Sequence, residues 1–347
     1  MNRILIVRLG ALGDIVHAIP VAAALRQAFP AAQIDWLVSR KHREILEYVP
    51  VIDRRLVVNQ RGGDRGGLTL SSAIREIRRT RYDVAFDLQG LLKSAILSRL
   101  SGAPRVVGFN RKYARESLAG FFYTDVHDPG GEGIYATSEA RHVVDINLGL
   151  LAALGLPPAD RCFPIATPDS SVAQAMASKT GGRYALLNPC AAWPNKRWPP
   201  ARLAAVASEL RDRHNLMSVV LWGPGEVDLA REVVALAGGC AILTPETSIA
   251  DLLALAKGAA VMVSGDTGPT HIAAALGTPL VGIYGPTRPE RNGPWTADDE
   301  TVSRAAVCQC HHFRQCKAAR MCLLDVQVEE VLAAVERRLA AAKRRRA

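Results

Sequence analysis

Apolar residues recur along this chain as short unbroken runs, each followed by a stretch in which they return every three or four positions. The runs predict strands at residues 3–9, 33–38, 55–58, 84–87 and 105–108, and the intervening stretches predict helices at 14–29, 41–48, 70–80 and 91–101. Continuous apolar strands alternating with amphipathic helices mark a parallel sheet covered on both faces. A helix at 142–154 then gives way to LGLPPADRCFPIATPDSS, whose Pro and Ser content reads as a linker. Beyond it the alternation resumes, with strands at 184–188, 218–222 and 241–243 and helices at 200–214, 228–237 and 249–257. A last helix is expected from an N-cap at Asp325, with Val328, Leu332, Val335 and Leu339 on one face. The Gly-rich segment 61–67 and residues 128–133 are expected to be loops. The pattern therefore predicts an α/β chain of two doubly wound, Rossmann-like sheets, divided into residues 1–168 and 169–347, with the last helix free to return to the first domain.

One segment interrupts this regularity in a chemically pointed way. Residues 261–287, VMVSGDTGPTHIAAALGTPLVGIYGPT, read as a strand, a tight polar turn, a small-residue helix and a second strand. The turn into the helix directs free N–H groups outward, and the helix dipole adds about half a positive charge there, which suits a phosphate or diphosphate. Gly265 and Gly268 permit close approach of a ligand, Asp266 and Thr267 add polar side chains, and His271 lies one turn further on. Pro269 fits a first-turn position where its missing N–H costs nothing. An ordinary βαβ turn would need far less polarity.

The 347 residues are 49% hydrophobic and 22% charged, enough to bury two cores, and no apolar run reaches the roughly 20 residues of a membrane span. Arg8 interrupts the N-terminal apolar run, which therefore reads as a buried strand rather than a signal peptide, so a cytoplasmic setting is expected. The net charge is +10, and Arg337, Arg338, Lys343, Arg344, Arg345 and Arg346 cluster in the tail. These cations either complement the helix dipole or attract anionic lipid or acidic substrates. With aromatics at only 5% and no stacking motif, nucleic acid is the least favoured partner. Seven cysteines, three of them scattered, do not form a secreted disulfide framework. The remaining four, Cys308, Cys310, Cys316 and Cys322, sit close in sequence beside His311 and His312. Zinc or an iron–sulfur cluster is one use for such a set, but the C-x-C-x5-C-x5-C spacing matches no standard knuckle. No metal is expected there; reduced thiols on a loop are the preferred reading.

Other candidates fall where predicted strands end. LGALGDIVHAIP places Gly10, Gly13 and Asp14 in the first strand-to-helix turn, without the third glycine of a dinucleotide fingerprint. Asp14 fits either a capping acid or a general base at the presumed cleft, and His17 is expected to be packed. FDLQGLLKSA brings Asp87, Gln89 and Lys93 to another strand end. In LNPCAAWPNKRWPP, Lys196 and Arg197 suit a phosphate clamp or a solvated basic turn. Glu226, after a Gly-Pro-Gly turn, suits either the hydroxyls of a ribose or the first turn of a helix. No G-x-S-x-G elbow, Walker sequence or H-E-x-x-H motif is present.

Taken together, ILIVRLGALGDIVHAIP, FDLQGLLKSA, NPCAAWPNKRWP and SGDTGPTHIAAALGTPLVGIYGPT resemble glycosyltransferase family 9, the ADP-heptose:lipopolysaccharide heptosyltransferases, over most of the chain. The segment AREsLAgFFY further resembles the branch that adds the first heptose to Kdo of the inner core. The resemblance implies a GT-B fold, two Rossmann-like domains facing across a cleft, with the acceptor in the N-terminal domain and the nucleotide sugar in the C-terminal one. It implies inverting transfer from ADP-heptose to a Kdo–lipid A acceptor, with no metal or other cofactor, at the cytoplasmic face of the inner membrane. By position it implies Asp14 as the base and Lys196 as the phosphate-clamping cation. It further implies a donor set of Ala191, Ala192, Lys196, Glu226, Thr247, Asp266, Thr267, Gly268 and His271, and an acceptor set of Gly13, Lys93 and Arg111. Cys190, Ala191 and Ala192 depart from the hydroxyl or glycine residues often found in that turn, so donor contacts there are expected from the backbone.

Overall fold

The computed structural model describes residues 1–59, 68–136, 138–311, 313–316 and 318–345; the loop expected at 61–67 and the side chains of His312 and Arg346 lie outside these residues. Two units are formed, Met1–Ala166 and Thr167–Ala347. In the first, β1 (Arg3–Val7) leads through α1 (Leu12–Val16) and α2 (Ile19–Ala28) to β2 (Gln33–Ser39) and β3 (Arg54–Val58). Then follow α3 (Leu70–Thr80), β4 (Val84–Asp87), α4 (Leu92–Leu100), β5 (Arg105–Phe109), β6 (Asp125–His127) and α5 (Val143–Gly149). The sheet order is β3-β2-β1-β4-β5-β6, all parallel. Ile4 and Ile6 are as fully buried as Leu5 and Val7 on the opposite face, which is why β1 reads as an unbroken apolar run rather than an alternation. Ala73 and Ile77 of α3 and Leu97 of α4 close over the Leu5–Val7 face.

The second unit opens with α6 (Ser171–Lys179), β7 (Tyr184–Asn188), α7 (Pro200–His214), β8 (Met217–Val220), α8 (Val227–Leu236) and β9 (Ala241–Leu243). It continues with α9 (Ile249–Gly258), β10 (Val261–Gly265), α10 (Gly268–Ala275), β11 (Leu280–Tyr284), α11 (Pro289–Asn292), β12 (Glu300–Ser303) and α12 (Val328–Arg344). Its parallel order is β12-β11-β10-β7-β8-β9. The terminal helix α12 packs against β10, β11, β12 and α7 of this unit, with Val331, Val335 and Leu339 buried beside Val261, Val263 and Val281. Two doubly wound sheets of this kind are the α/β architecture of GT-B proteins.

Four sequence expectations are corrected. The helix expected at 14–29 is two, α1 and α2, broken at His17–Ala18, because Pro20 has no N–H to return to Val16 and its ring crowds that carbonyl. The helix at 41–48 is a pair of 3-10 turns, Arg40–His42 and Glu44–Tyr48. The N-cap of α12 is Gln327, whose amide donates to the Glu330 carboxylate at 2.9 Å, while Asp325 ends a 3-10 turn and pairs with Arg320. The tail cations are also less available than their clustering suggested. Arg337 pairs with Glu300 at 2.8 Å, the buried Arg338 with Asp299 at 2.7 Å, and Arg345 with Asp298.

Candidate functional site

Both sheets reverse direction of growth next to their first strand: between β1 and β4 in the first unit, and between β7 and β10 in the second. At such a switch point the loops leaving the two strands splay to opposite faces and open a crevice at the strand C-termini. The polar residues singled out above lie at these two places.

In the second unit, β7 ends at Asn188 and β10 at Gly265, paired in register one residue apart. Asn188 is buried, and its side-chain amide donates to Ser264 Oγ at 3.1 Å and Thr267 Oγ1 at 3.0 Å. Thr270 Oγ1 donates to Ser264 Oγ at 2.7 Å, so a closed hydroxyl–amide network fixes the turn that starts α10. Thr267 is the N-cap residue in extended conformation, Gly268 the first helical residue, and Pro269 follows in the first turn. Gly265 is required by contact: a Cβ there would stand 2.9 Å from the Lys196 carbonyl. That approach carries Lys196 over the turn, where its ammonium meets Asp266 Oδ2 at 2.5 Å and lies 4.5 Å from the Trp193 ring centroid. His271 Nε2 reaches the other Asp266 oxygen at 3.1 Å. Burial alone would raise the Asp266 carboxyl, but the Lys196 ammonium and then His271 outweigh it and hold it well below the usual carboxylate range. A cation, a helix N-terminus and a fixed turn thus converge, the means by which a protein binds a diphosphate and stabilises charge growing on it.

The remainder of the expected donor set lines the same edge of this sheet. Glu226 is the N-cap residue of α8, and Thr247 lies in the loop between β9 and α9. Arg197, open between a phosphate clamp and a solvated basic turn, is bonded within its own surroundings: its Nε donates to the Ala191 carbonyl at 2.8 Å and its Nη2 meets Glu226 at 3.3 Å. The Cys190 thiol is buried beside Glu226, and burial, then that carboxylate, push it up to about 12, so it stays protonated. Ala192 offers its carbonyl to Arg314 at 3.2 Å, and Asn195 donates to the Phe313 carbonyl at 2.9 Å. The cysteine segment therefore braces the turn that carries Lys196. Within it Cys310 Sγ donates to Cys316 Sγ at 3.1 Å, and Cys308 and Cys310 are buried. Among the described residues no group of three or more His, Cys, Asp or Glu side chains is arranged to hold a metal ion.

In the first unit Asp14 is the third residue of α1, its carboxylate accepting from the Ala11 amide at 3.2 Å. Two guanidinium groups converge on the same oxygen, Arg8 at 2.8 Å and Arg115 at 2.9 Å. Burial would raise this carboxyl, but Arg8, then Arg115, His17 and the Ala11 amide, hold it well below the ordinary range. Arg8 is buried at the end of β1 and donates to the Leu88 carbonyl. Arg115 is delivered by a close backbone approach. Gly90, at φ +67°, has the Ala114–Arg115 backbone 3.1 Å from where a Cβ would lie, and its carbonyl accepts from the Glu116 amide at 2.9 Å. Asp87 is the organiser of that turn rather than a reacting group, accepting from the Gln89 and Gly90 amides, Ser94 and Tyr123. Asp14, Ser39, His42, Asn59, Gln89 and Arg115 surround a hollow of about 570 Å³. Gly13 is buried within α1, while Lys93 is exposed on α4 and Arg111 stacks on Phe121; none of the three lines that hollow. His17 is packed edge-to-face on His142. Sequence reasoning missed Arg8 and Arg115 as partners of Asp14. The one available signal was a charged residue closing a buried apolar strand.

Residues 70–321 match the model of glycosyltransferase family 9 (heptosyltransferase). The chain is 30% identical over 303 residues to lipopolysaccharide heptosyltransferase 1 of Pseudomonas aeruginosa, covering 84% of this chain and 81% of that protein. Its fold is shared with a glycosyl transferase family 9 protein from Veillonella parvula, at a TM-score of 0.79 and 23% identity over 98% of this chain and 97% of that one. It is also shared with E. coli heptosyltransferase WaaC solved with ADP-2-deoxy-2-fluoro heptose, at 0.70 and 24% over 96% and 99%. The chain belongs to glycosyltransferase family 9, the heptosyltransferase family.

Proposed function

We propose that this protein is an inverting transferase that moves a heptose from ADP-heptose to the Kdo region of the lipopolysaccharide inner core. The observation that carries the reading is the Lys196–Asp266 pair set over the N-terminus of α10 at the β7/β10 switch point. Family membership and the similarity to lipopolysaccharide heptosyltransferase 1 of P. aeruginosa support the sugar and the acceptor class.

In this reading the second unit binds the donor. The amides at the start of α10 and the Lys196 ammonium take the diphosphate, Glu226 takes the ribose hydroxyls, and Ala191, Ala192 and Thr247 line the nucleotide. Asp266 and His271 hold Lys196 in place, and Lys196 moves onto the phosphate oxygens as the ADP–sugar bond lengthens. The first unit binds the acceptor. Its hydroxyl attacks the anomeric carbon, the C1–O bond to ADP breaks with the electron pair leaving on the diphosphate, and Asp14 takes the hydroxyl proton. Arg8 and Arg115 keep Asp14 ionised but weaken it as a base, so proton transfer is late, after bonding to C1 has made the attacking hydroxyl acidic. Gly13, Lys93 and Arg111 are assigned to the acceptor side. No described helix is long and apolar enough to cross a membrane, and we assign the protein a peripheral contact with the anionic cytoplasmic face of the inner membrane.

The test is transfer from ADP-heptose to Kdo2–lipid A by purified protein. The reading requires product with ADP-heptose and preference for ADP over UDP in titration. Tight binding of UDP with no heptose transferred would replace it with another nucleotide-sugar activity.

A further inference from the structure

Among the described residues two exposed large apolar side chains stand on one short element. Leu118 and Phe121 are 54% and 70% exposed, and both belong to the 3-10 turn Ser117–Phe122. In a 3-10 helix residues three apart eclipse one another, so the two form a single apolar edge, while Ala119 between them is fully buried. The Arg111 guanidinium lies 4.8 Å from the Phe121 ring centroid, and Lys112 beside it is exposed. Glu116, just before the turn, accepts from the Leu92 amide at 2.5 Å. An apolar tip bordered by cations, on a chain of net charge +10, has the composition of an interfacial lipid contact.

We propose that the Ser117–Phe122 turn is the edge by which the first unit docks on an anionic bilayer. Leu118 and Phe121 enter the boundary between headgroups and acyl chains, and Arg111 and Lys112 pair with lipid phosphates. The inference deepens, and rests on, the lipid-acceptor reading given above. Arg115, three residues before Leu118, pairs with Asp14 at 2.9 Å, so an acceptor whose acyl chains lie in the bilayer at this edge presents its sugar beside Asp14. The C-terminal tail is the weaker alternative, because Arg337, Arg338 and Arg345 are already committed to Glu300, Asp299 and Asp298.

Full-length protein is sedimented with vesicles of phosphatidylethanolamine and phosphatidylglycerol, and separately with phosphatidylcholine alone. The wild type is expected to favour the anionic vesicles. The double variant Leu118→Ser/Phe121→Ser should bind them about tenfold or more weakly, from the apolar area left unburied. Arg111→Glu/Lys112→Glu should lose the anionic preference, and Lys343→Glu/Arg344→Glu should bind like wild type. Unchanged melting temperature and ADP affinity show that the serine variant is folded. Equal vesicle binding by that variant, loss confined to the tail variant, or no vesicle binding by the wild type each overturns the proposal. Kdo2–lipid A in the same vesicles separates the two readings. Docking that depends on Leu118 and Phe121 without heptose transfer sinks the activity alone; transfer with docking indifferent to them sinks the docking edge alone.

Discussion

Replacing Asp266 by Asn keeps the shape of the turn before α10 and removes the charge that holds Lys196. Both side chains are nearly buried, at 14% and 5% exposure, with the ammonium 2.5 Å from the carboxylate. At an effective dielectric constant of 20 two unit charges at that distance attract by about 6–7 kcal/mol. Desolvation offsets much of this, but removing one partner strands the other, at about 3–5 kcal/mol. Lys196 keeps the Trp193 ring and some access to water, so the lower end, about 3 kcal/mol, is expected. For a unit of this size that corresponds to a melting temperature lower by about 6–12 °C. The opposite change, Lys196→Met, leaves Asp266 with His271 alone. The wild-type carboxyl is held well below its ordinary value, so the stability it contributes is present above its unfolded pKa of about 3.9 and is lost only as pH falls through the lower folded value. Without the lysine, burial raises that folded value, and the acid limb of the stability curve moves to higher pH.

Ligand binding separates the two variants, because the same lysine is assigned to the diphosphate. Lys196→Met should weaken ADP by about 10–100-fold, the value of a charge-assisted bond. Asp266→Asn should tighten ADP, since the carboxylate no longer competes for the ammonium, and the ADP-induced rise in melting temperature should exceed that of the wild type. Denaturation and calorimetric titration of the two single variants and the double variant close a cycle with an expected coupling of about 2–3 kcal/mol. Coupling near zero, or wild-type ADP affinity in Lys196→Met, would refute the placement of this pair in the donor site.

Asp14→Asn should lower transfer by about 10²–10⁴-fold while ADP binds as before; near-wild-type turnover would leave Asp14 a structural role, accepting from the Ala11 amide and pairing with Arg8 and Arg115. Arg115→Ala removes one of the two guanidinium groups that depress Asp14, so the acid limb of the kcat/KM profile should move to higher pH, and an unmoved limb would show that Asp14 is not the titrating base. Asp87→Ala strands the Gln89 and Gly90 amides and the Ser94 and Tyr123 hydroxyls, and chemical denaturation should read a loss of about 2–4 kcal/mol. Transfer should be unaffected by EDTA, measured with ADP-heptose and Kdo2–lipid A; strict need for a divalent ion would contradict charge stabilisation by Lys196 and the α10 amides.

What the sequence revealed and what it hid divide along the range of the interactions involved. β1, β4, β7 and β10 were legible because strands buried on both faces leave unbroken apolar runs, and α3 because its core-facing Ala73 and Ile77 repeat at helical spacing. β6 and β12 were not, although the edge strands β3 and β9 were: β6 has no buried residue, with Val126 52% exposed, and β12 has a single one, Val302. α6 was missed next to the Pro- and Ser-rich linker, although Ser170 caps it, bonding the Ala173 amide at 3.0 Å. Asp14, Lys196 and Asp266 could be found as polar residues at strand ends because parallel topology itself brings strand C-termini to one edge of the sheet. Their chemistry could not. Arg115 stands 101 positions from Asp14, and Lys196 stands 70 from Asp266; no local pattern encodes such pairings. The Lys196–Arg197 doublet shows the consequence. Adjacent and alike in sequence, the two side chains leave the turn in opposite directions, Lys196 to Asp266 and Arg197 to Ala191 and Glu226. One reaches over the start of α10 while the other holds up the turn, a division decided by the backbone approach at Gly265, not by residue type.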